Sequence, residues 1–249
     1  MLIYGINPVI EAIRARRAVR VVVSRATRDA ANPRLAELIA LARAERVRVE
    51  TVDAVEVQRL AAGGVHQGVV AEVEQERDWG VTEIVRAAQG PPLVVVLDGI
   101  EDPHNLGAIL RPADAAGASG VVRQQRRAAP LGGVAAKASA GAIAHVRIAN
   151  VVNIARALDE LKEAGVWTIG LASDVALTYD QVDYTVPSAV VLGAEGSGLR
   201  RLVREQCDWV VSIPMLGSVE SLNVSVAAGV VLFEAVRQRR THNVGRGTL

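Results

Sequence analysis

Short, almost wholly apolar strands alternate with amphipathic helices along this chain, which predicts an α/β protein with a parallel sheet covered by helices on both faces. Half of its 249 residues are hydrophobic but only 3% are aromatic, so the core must be built from Val, Leu, Ile and Ala. Such side chains suit buried parallel strands. The helical stretches also begin and end at recognisable cap and stop residues. At this length the chain suits one large or two modest domains with room for a real core.

Taken in order, Leu2-Ile3-Tyr4 leads into Asn7-Pro8, where Asn suits a helix cap and Pro the first helical residue. The pattern predicts helix 8–17, strand 20–24, helix 33–46, strand 47–51, a short helix from Asp53 and strand 69–73. This βαβα order makes a compact α/β unit over residues 1–76. The charged run from Glu74 to Asp78 has no periodicity, Thr82-Glu83 caps one short helix, and Gly90-Pro91-Pro92 stops it, so 77–91 is assigned as a linker. From residue 92 to 249 the alternation restarts. Strands are expected at 93–97, 120–123, 145–148, 166–170, 189–192 and 209–213, and helices at 106–116, 134–140, 151–164, 199–205 and 222–239.

The formal net charge is only +1, so no global basic field exists and any nucleic-acid contact must rest on local patches. Arg14, Arg16, Arg17, Arg20, Arg25 and Arg28 form one such cluster, with Glu11 the single acid among them. Arg123, Arg126 and Arg127 form a second, expected in an exposed loop, and Arg237, Arg239, Arg240 and Arg246 a third. Each alone is also explained as solvated helix or loop ends; together they favour a phosphate-backbone partner. The few aromatic residues argue against a base-stacking platform. One cysteine, Cys207, excludes an internal disulfide and fits a reducing cytosol. Four scattered histidines and this cysteine offer no metal-ligand spacing. No signal-like segment or long uncharged apolar run is seen, so a cytoplasmic protein with no membrane partner is expected.

Three segments carry candidate chemistry. The first follows strand 93–97 and contains Asp102-Pro103-His104-Asn105, then Gly107 and Arg111. Gly107 and Arg111 are four apart and share a helix face, leaving a hollow beneath a guanidinium that suits a ribose and its phosphate. Asn105 is equally a helix cap, and Arg111 could simply pair with Asp114. The second segment is Gly193-Ala194-Glu195-Gly196-Ser197-Gly198, a glycine loop holding one carboxylate. It has neither a P-loop Lys-Ser/Thr nor a G-x-G-x-x-G, which disfavours a nucleotide-dependent oxidoreductase. The third runs from Ile213-Pro214-Met215 to Ser221-Leu222-Asn223-Val224-Ser225, a polar entry to an apolar helix. Each alone could be a turn or a cap, but the three in fixed order are far more specific.

In that order the motifs resemble those of the SpoU branch of the SPOUT RNA methyltransferases, and the likeness covers nearly the whole chain. Tyr4-Gly5-x-Asn7-Pro8 and His66-Gln67-Gly68 resemble that family's N-terminal RNA-binding domain. Ala129-Pro130-Leu131 and Lys137-Ala138-Ser139-Ala140-Gly141-Ala142 are similar to the subgroup acting on guanosine of 23S ribosomal RNA. The resemblance implies transfer of methyl from S-adenosylmethionine to a ribose 2′-oxygen of RNA, not DNA, with transfer RNA a less favoured substrate. It implies that Gly193, Ile213 and Leu222 hold the cofactor through backbone groups, with Leu192, Met215 and Ser221 alongside. Asn105, Arg111, Glu195 and Asn223 would form the reaction centre. A C-terminal trefoil knot and a homodimer are implied as well, the knot against the general rule for chain connections.

Pro112 departs from the family pattern, in which a small polar residue follows the arginine. With Asn105 as cap, Pro112 would fall in the second turn and clash with the Ala108 carbonyl, so either the helix kinks or it begins later. A non-catalytic RNA-binding protein retaining the fold is therefore the alternative to the enzyme. Arginine stays protonated at physiological pH, so Arg111 is expected to grip phosphate and polarise the 2′-hydroxyl instead of removing its proton.

Overall fold

The computed structural model describes residues 1–29, 32–74 and 77–246. Gln75 and Glu76, at the expected end of the first domain, lie outside them. The chain divides into two compact units. One comprises 1–77 with 106–111 and 130–145, and the other 78–105 with 112–129 and 146–249.

The first unit opens with β1 (Leu2–Tyr4), α1 (Ile6–Arg14), β2 (Ala18–Ser24), α2 (Arg25–Asp29), α3 (Pro33–Ala44), β3 (Arg48–Val52), α4 (Ala54–Leu60) and β4 (Val69–Val73). Its four-stranded sheet has the order β1-β4-β2-β3, with β2 and β3 parallel and β4 antiparallel to both its neighbours. Tyr4, Val22, Val57, Ala61 and Val70 pack in its core. α1 starts at Ile6, two residues before the expected Pro8, because its first amide finds a cap from elsewhere. Gln67 Oε1 accepts from the Ile6 N–H at 3.1 Å, and Gly5 at the cap position has φ 96°, open to glycine. Asn7 instead accepts from Arg34 at 3.0 Å. His66-Gln67-Gly68 is thus a turn that serves α1: His66 Nδ1 accepts from the Gly68 N–H at 2.9 Å, and a Cβ on Gly68 would overlap Thr27. α3 follows expectation, with the Asn32 side chain accepting from the Arg34 and Leu35 amides at 3.0 and 3.4 Å and Pro33 first in the helix.

Next come α5 (Val81–Arg86), β5 (Leu93–Asp98), α6 (Pro103–Ala115), β6 (Gly120–Gln124), α7 (Gly133–Ala138), β7 (Ile148–Val151) and α8 (Ile154–Glu163). They are followed by β8 (Trp167–Leu171), β9 (Ser188–Gly193), α9 (Arg201–Glu205), β10 (Trp209–Val211) and α10 (Val224–Arg246). The six strands of the second unit form a wholly parallel sheet in the order β10-β8-β9-β5-β6-β7. Every residue of β5 is buried, as expected of a central parallel strand. Ile84, Val94, Val96, Val122, Ile154, Leu158, Leu161 and Val191 belong to one core cluster. The chain moves outward from β5 through β6 to β7, then returns on the far side of β5 through β8 and β9. The strand order therefore reverses between β5 and β9, and crevices beyond the carboxyl ends of such strands are where open parallel sheets bind ligands.

Several boundaries differ from the pattern reading, each for a local reason. β7 lies at Ile148–Val151 because Gly141 (φ 97°) and a 3-10 turn at Ala142–Ala144 use up the preceding residues. α8 begins after Asn153, whose side chain accepts from the Arg156 amide at 3.3 Å. β10 stops at Val211, before Pro214, which has no amide for a ladder.

Candidate active site

The glycine loop after β9 is shaped by its own backbone. Ala194 and Gly198 exchange two hydrogen bonds, of 3.1 and 2.9 Å, and Gly196 and Gly198 have φ of 81° and 65°. A Cβ on Gly193 would overlap the backbone of Gly198 and Leu199, so only glycine fits there. The end of the loop is pinned from the neighbouring strand. Asp98, fully buried at the end of β5, accepts from the Arg200 N–H at 2.9 Å and from Arg200 Nε at 2.7 Å. Pattern reading overlooked Asp98, which looked like the end of an apolar run; its signal is a carboxylate where a parallel strand stops.

Beside this loop is a cavity of about 670 Å³. Leu192, Gly193, Ile213, Met215, Ser221 and Leu222, the six residues expected at a cofactor, all line it. So do Glu195 and Asn223, and so do Leu171 to Asp174, Arg204 and Glu220, which the motifs did not single out. Its size falls within the range of small-molecule sites.

Asn105, Glu195 and Asn223 come from three distant segments and meet in one hydrogen-bonded chain. Asn105 Nδ2 donates to Glu195 Oε2 at 3.0 Å, and Asn223 Nδ2 donates to Asn105 Oδ1 at 3.0 Å. Asn223 Oδ1 accepts from the Ser225 amide at 2.9 Å and the Ser225 hydroxyl at 2.6 Å, capping α10, which begins at Val224 and not at Leu222. Every amide and carboxylate orientation in this chain follows from the donor at one end and the carboxylate at the other. Asn105 is free for this role because it is not the cap of α6. Asp102 is, accepting from the His104 and Asn105 amides at 3.1 and 3.2 Å, with Pro103 as the first helical residue.

Two expectations need correction, and the alternative account of Arg111 as an ion-pair residue is not seen. α6 does not begin late: it runs unbroken from Pro103 through Pro112 to Ala115, leaving the Ala108 carbonyl without an amide from residue 112. The hollow expected at Gly107 is filled by protein, since a Cβ there would press to 2.5 Å on the Ala135 carbonyl oxygen and the Ala138 Cβ. Arg111 belongs to the first unit, is exposed, and among the described residues makes neither a hydrogen bond nor the ion pair considered with Asp114.

The basic clusters are also less open than their spacing suggested. Arg14 pairs with Glu11 one turn earlier in α1 and with Glu37 of α3, Arg16 with Glu45 at the end of α3, and Arg20 with Glu50 and Glu72, which the sheet brings alongside from β3 and β4. Arg123 is not in a loop but in β6, where burial pushes its pKa down and Nη1 has no hydrogen-bond partner among the described residues. Arg126 and Arg127 are exposed. Arg237 pairs with Glu234, and Arg239 donates to the carbonyls of Pro91, Pro92, Tyr184 and Val186. The side chain of Arg246 lies outside the described residues. Among the described residues no group of His, Cys, Asp and Glu could hold a metal ion, and no helix is long and apolar enough to cross a membrane.

Comparison with known proteins gives the family. Residues 92–233 match the SpoU rRNA Methylase family, and residues 2–79 match the family described as RNA 2′-O ribose methyltransferase substrate binding. The chain is similar to a 23S rRNA (guanosine-2′-O-)-methyltransferase, RlmB, of Pseudomonas putida, with 45% identity over 241 residues and 96% of each chain covered. The SpoU methyltransferase AviRb from Streptomyces viridochromogenes, crystallised with AdoMet, is similar in structure at a TM-score of 0.78 and 28% identity, covering 97% of this chain and 91% of its own. A TrmH/SpoU tRNA modifying enzyme of A. aeolicus is similar over a smaller share, 66% of this chain and 82% of its own, with a TM-score of 0.56 and 30% identity.

Proposed function

The chain belongs to the SpoU rRNA methylase family, and on that premise we propose that it methylates a ribose 2′-hydroxyl of RNA, a guanosine of 23S ribosomal RNA, using S-adenosylmethionine. One observation carries this reading: Asn105, Glu195 and Asn223, distant in sequence, are joined by hydrogen bonds beside a cavity of ligand size. The residues present fit the cofactor. The cavity at the switch point is large enough, and Gly193 allows the loop to fold without a side chain intruding.

When bound, S-adenosylmethionine supplies an electrophilic methyl group. Gly193, Ile213 and Leu222 are assigned to hold it through backbone groups, with Leu192, Met215 and Ser221 walling the cavity. Asn105 orients the acceptor end, held between Glu195 and Asn223 so that its amide cannot flip. To Arg111, on the family motif alone, we assign positive charge beside the developing alkoxide. Alignment of the three reacting atoms supplies much of the rate.

Ribosomal RNA is favoured over transfer RNA because the 23S-directed relative aligns along 96% of the chain and the tRNA-modifying structure along 66%. Residues 1–76 are assigned to RNA binding, 77–91 to a linker and 92–249 to catalysis, in keeping with the two family matches. A trefoil knot in the catalytic part rests on family membership. So does a homodimer, which is also supported by an apolar stripe on α10: Val226 and Phe233, seven residues and two turns apart, are 52% and 51% exposed. A cytoplasmic location accords with the one cysteine, whose thiol burial pushes up to about 12 and so keeps protonated.

The test is transfer of radiolabelled methyl onto 23S rRNA from a strain lacking the enzyme, followed by mapping of the ribose methylation. Transfer to a single guanosine is expected. RNA binding without transfer would favour the non-catalytic reading, and calorimetry showing no S-adenosylmethionine binding would reject the enzyme.

A further inference from the structure

The charged side chains lining the cavity are Asp174, Glu195, Arg204 and Glu220. Arg204 Nη1 donates to Asp174 Oδ2 at 2.9 Å, and that pairing lowers the Asp174 pKa and raises that of Arg204, so both are ionised and cancel. The Glu195 carboxylate accepts from the Asn105 amide, a neutral partner that brings no positive charge to it. Glu220 is exposed and, among the described residues, makes no hydrogen bond or ion pair. The lining therefore carries an excess of negative charge, and the cavity's one cation is already matched.

Methyl transfer changes the charge of what occupies such a cavity. The methyl–sulfur bond breaks with its electron pair left on sulfur, a methyl–oxygen bond forms, and the ribose hydroxyl loses its proton to solvent or phosphate. A sulfonium cation enters and a neutral thioether leaves. A carboxylate facing the sulfur attracts the first and is indifferent to the second.

We propose that Glu220 is that counter-charge, and that it sets the preference of this site for S-adenosylmethionine over its demethylated product, S-adenosylhomocysteine. This rests on the reading of the cavity as the cofactor site. Glu195 is committed to the reaction centre through Asn105, whereas Glu220 opens the same polar segment that delivers Asn223 there and has no other partner among the described residues. The charge difference holds product more weakly than substrate and so speeds release.

Calorimetry on the full chain tests it, with S-adenosylmethionine, S-adenosylhomocysteine and sinefungin, which carries an amine cation in place of the sulfonium. Glu220→Gln is expected to weaken S-adenosylmethionine and sinefungin by about tenfold while moving S-adenosylhomocysteine by less than about twofold. The wild-type preference should also shrink as salt is raised, because exposed charges are screened. Equal loss for all three ligands would put the carboxylate at the ammonium group they share and overturn the proposal, as would no loss at all. Failure of the wild type to bind S-adenosylmethionine would instead reject the reading of the cavity. Glu220 is a surface residue, so the variant folds, and an unchanged melting curve checks this.

Discussion

Asn105 owes its chemistry to a neighbour. Because Asp102 takes the cap of α6, the Asn105 side chain is released to bridge Glu195 and Asn223. Had Asn105 capped the helix, as its residue type equally allows, its carbonyl would be spent on backbone amides. Its amide now gives Glu195 a fixed donor while its carbonyl holds Asn223, so truncation removes one hydrogen bond from each. Asn105→Ala is expected to lower kcat for methyl transfer by about a hundredfold through lost positioning, with the S-adenosylmethionine affinity changed by less than about twofold because Asn105 is outside the cavity lining. Single-turnover methylation together with calorimetry separates the two effects. Asp98 acts at one remove: it touches nothing in the cavity, yet holds Arg200 and with it the end of the glycine loop.

At the scale of elements, α6 tolerates a residue that helices reject. Pro112 lacks the amide that would bond the Ala108 carbonyl, yet the helix continues to Ala115 with Ala113 fully buried. Burial of its apolar face outweighs one missing bond, though not without cost. Pro112→Ala should raise stability by about 2 kcal/mol, the helix-interior penalty less the flexibility regained by the unfolded chain, as measured by urea unfolding. β8 and β10 are joined by a polar link at Asp208, which accepts from the Thr168 amide at 2.8 Å and hydroxyl at 2.7 Å and pairs with Lys162 at 3.2 Å. Burial raises the Asp208 pKa, but the Thr168 hydrogen bonds and Lys162 outweigh it and hold the carboxyl below its ordinary value. Its contribution is therefore complete above the ordinary carboxylate range, about pH 4, and fades as pH falls through the lowered value. Acid unfolding of Asp208→Asn should show a shallower loss of stability below about pH 4 than the wild type.

At the scale of the molecule, the paired arginines matter most. Acids from α3, β3 and β4 neutralise much of the first basic cluster, so a formal count along the chain overstated its field. RNA recognition must then depend on shape and on the exposed arginines that remain, among them Arg126, Arg127 and Arg240. The α10 stripe is the other whole-molecule feature. If a second copy covers it, Phe233→Glu should bury a charge and move the protein to monomer in sedimentation equilibrium, while circular dichroism stays unchanged because Phe233 is half exposed.

Local chemistry alone determined a great deal here. Apolar runs of four to six residues mark the buried strands, Pro33 marks the start of α3, and three spaced polar motifs identify the family. Tertiary structure decided which of two equivalent polar residues capped α6, which arginines stayed open, that Arg123 would be buried, and that Asp98 would hold the loop. It also filled the space at Gly107 with α7. The division has one cause. Secondary structure answers to neighbours along the chain, whereas the partner of a polar group is whichever distant segment the packed sheet places within about 3 Å of it.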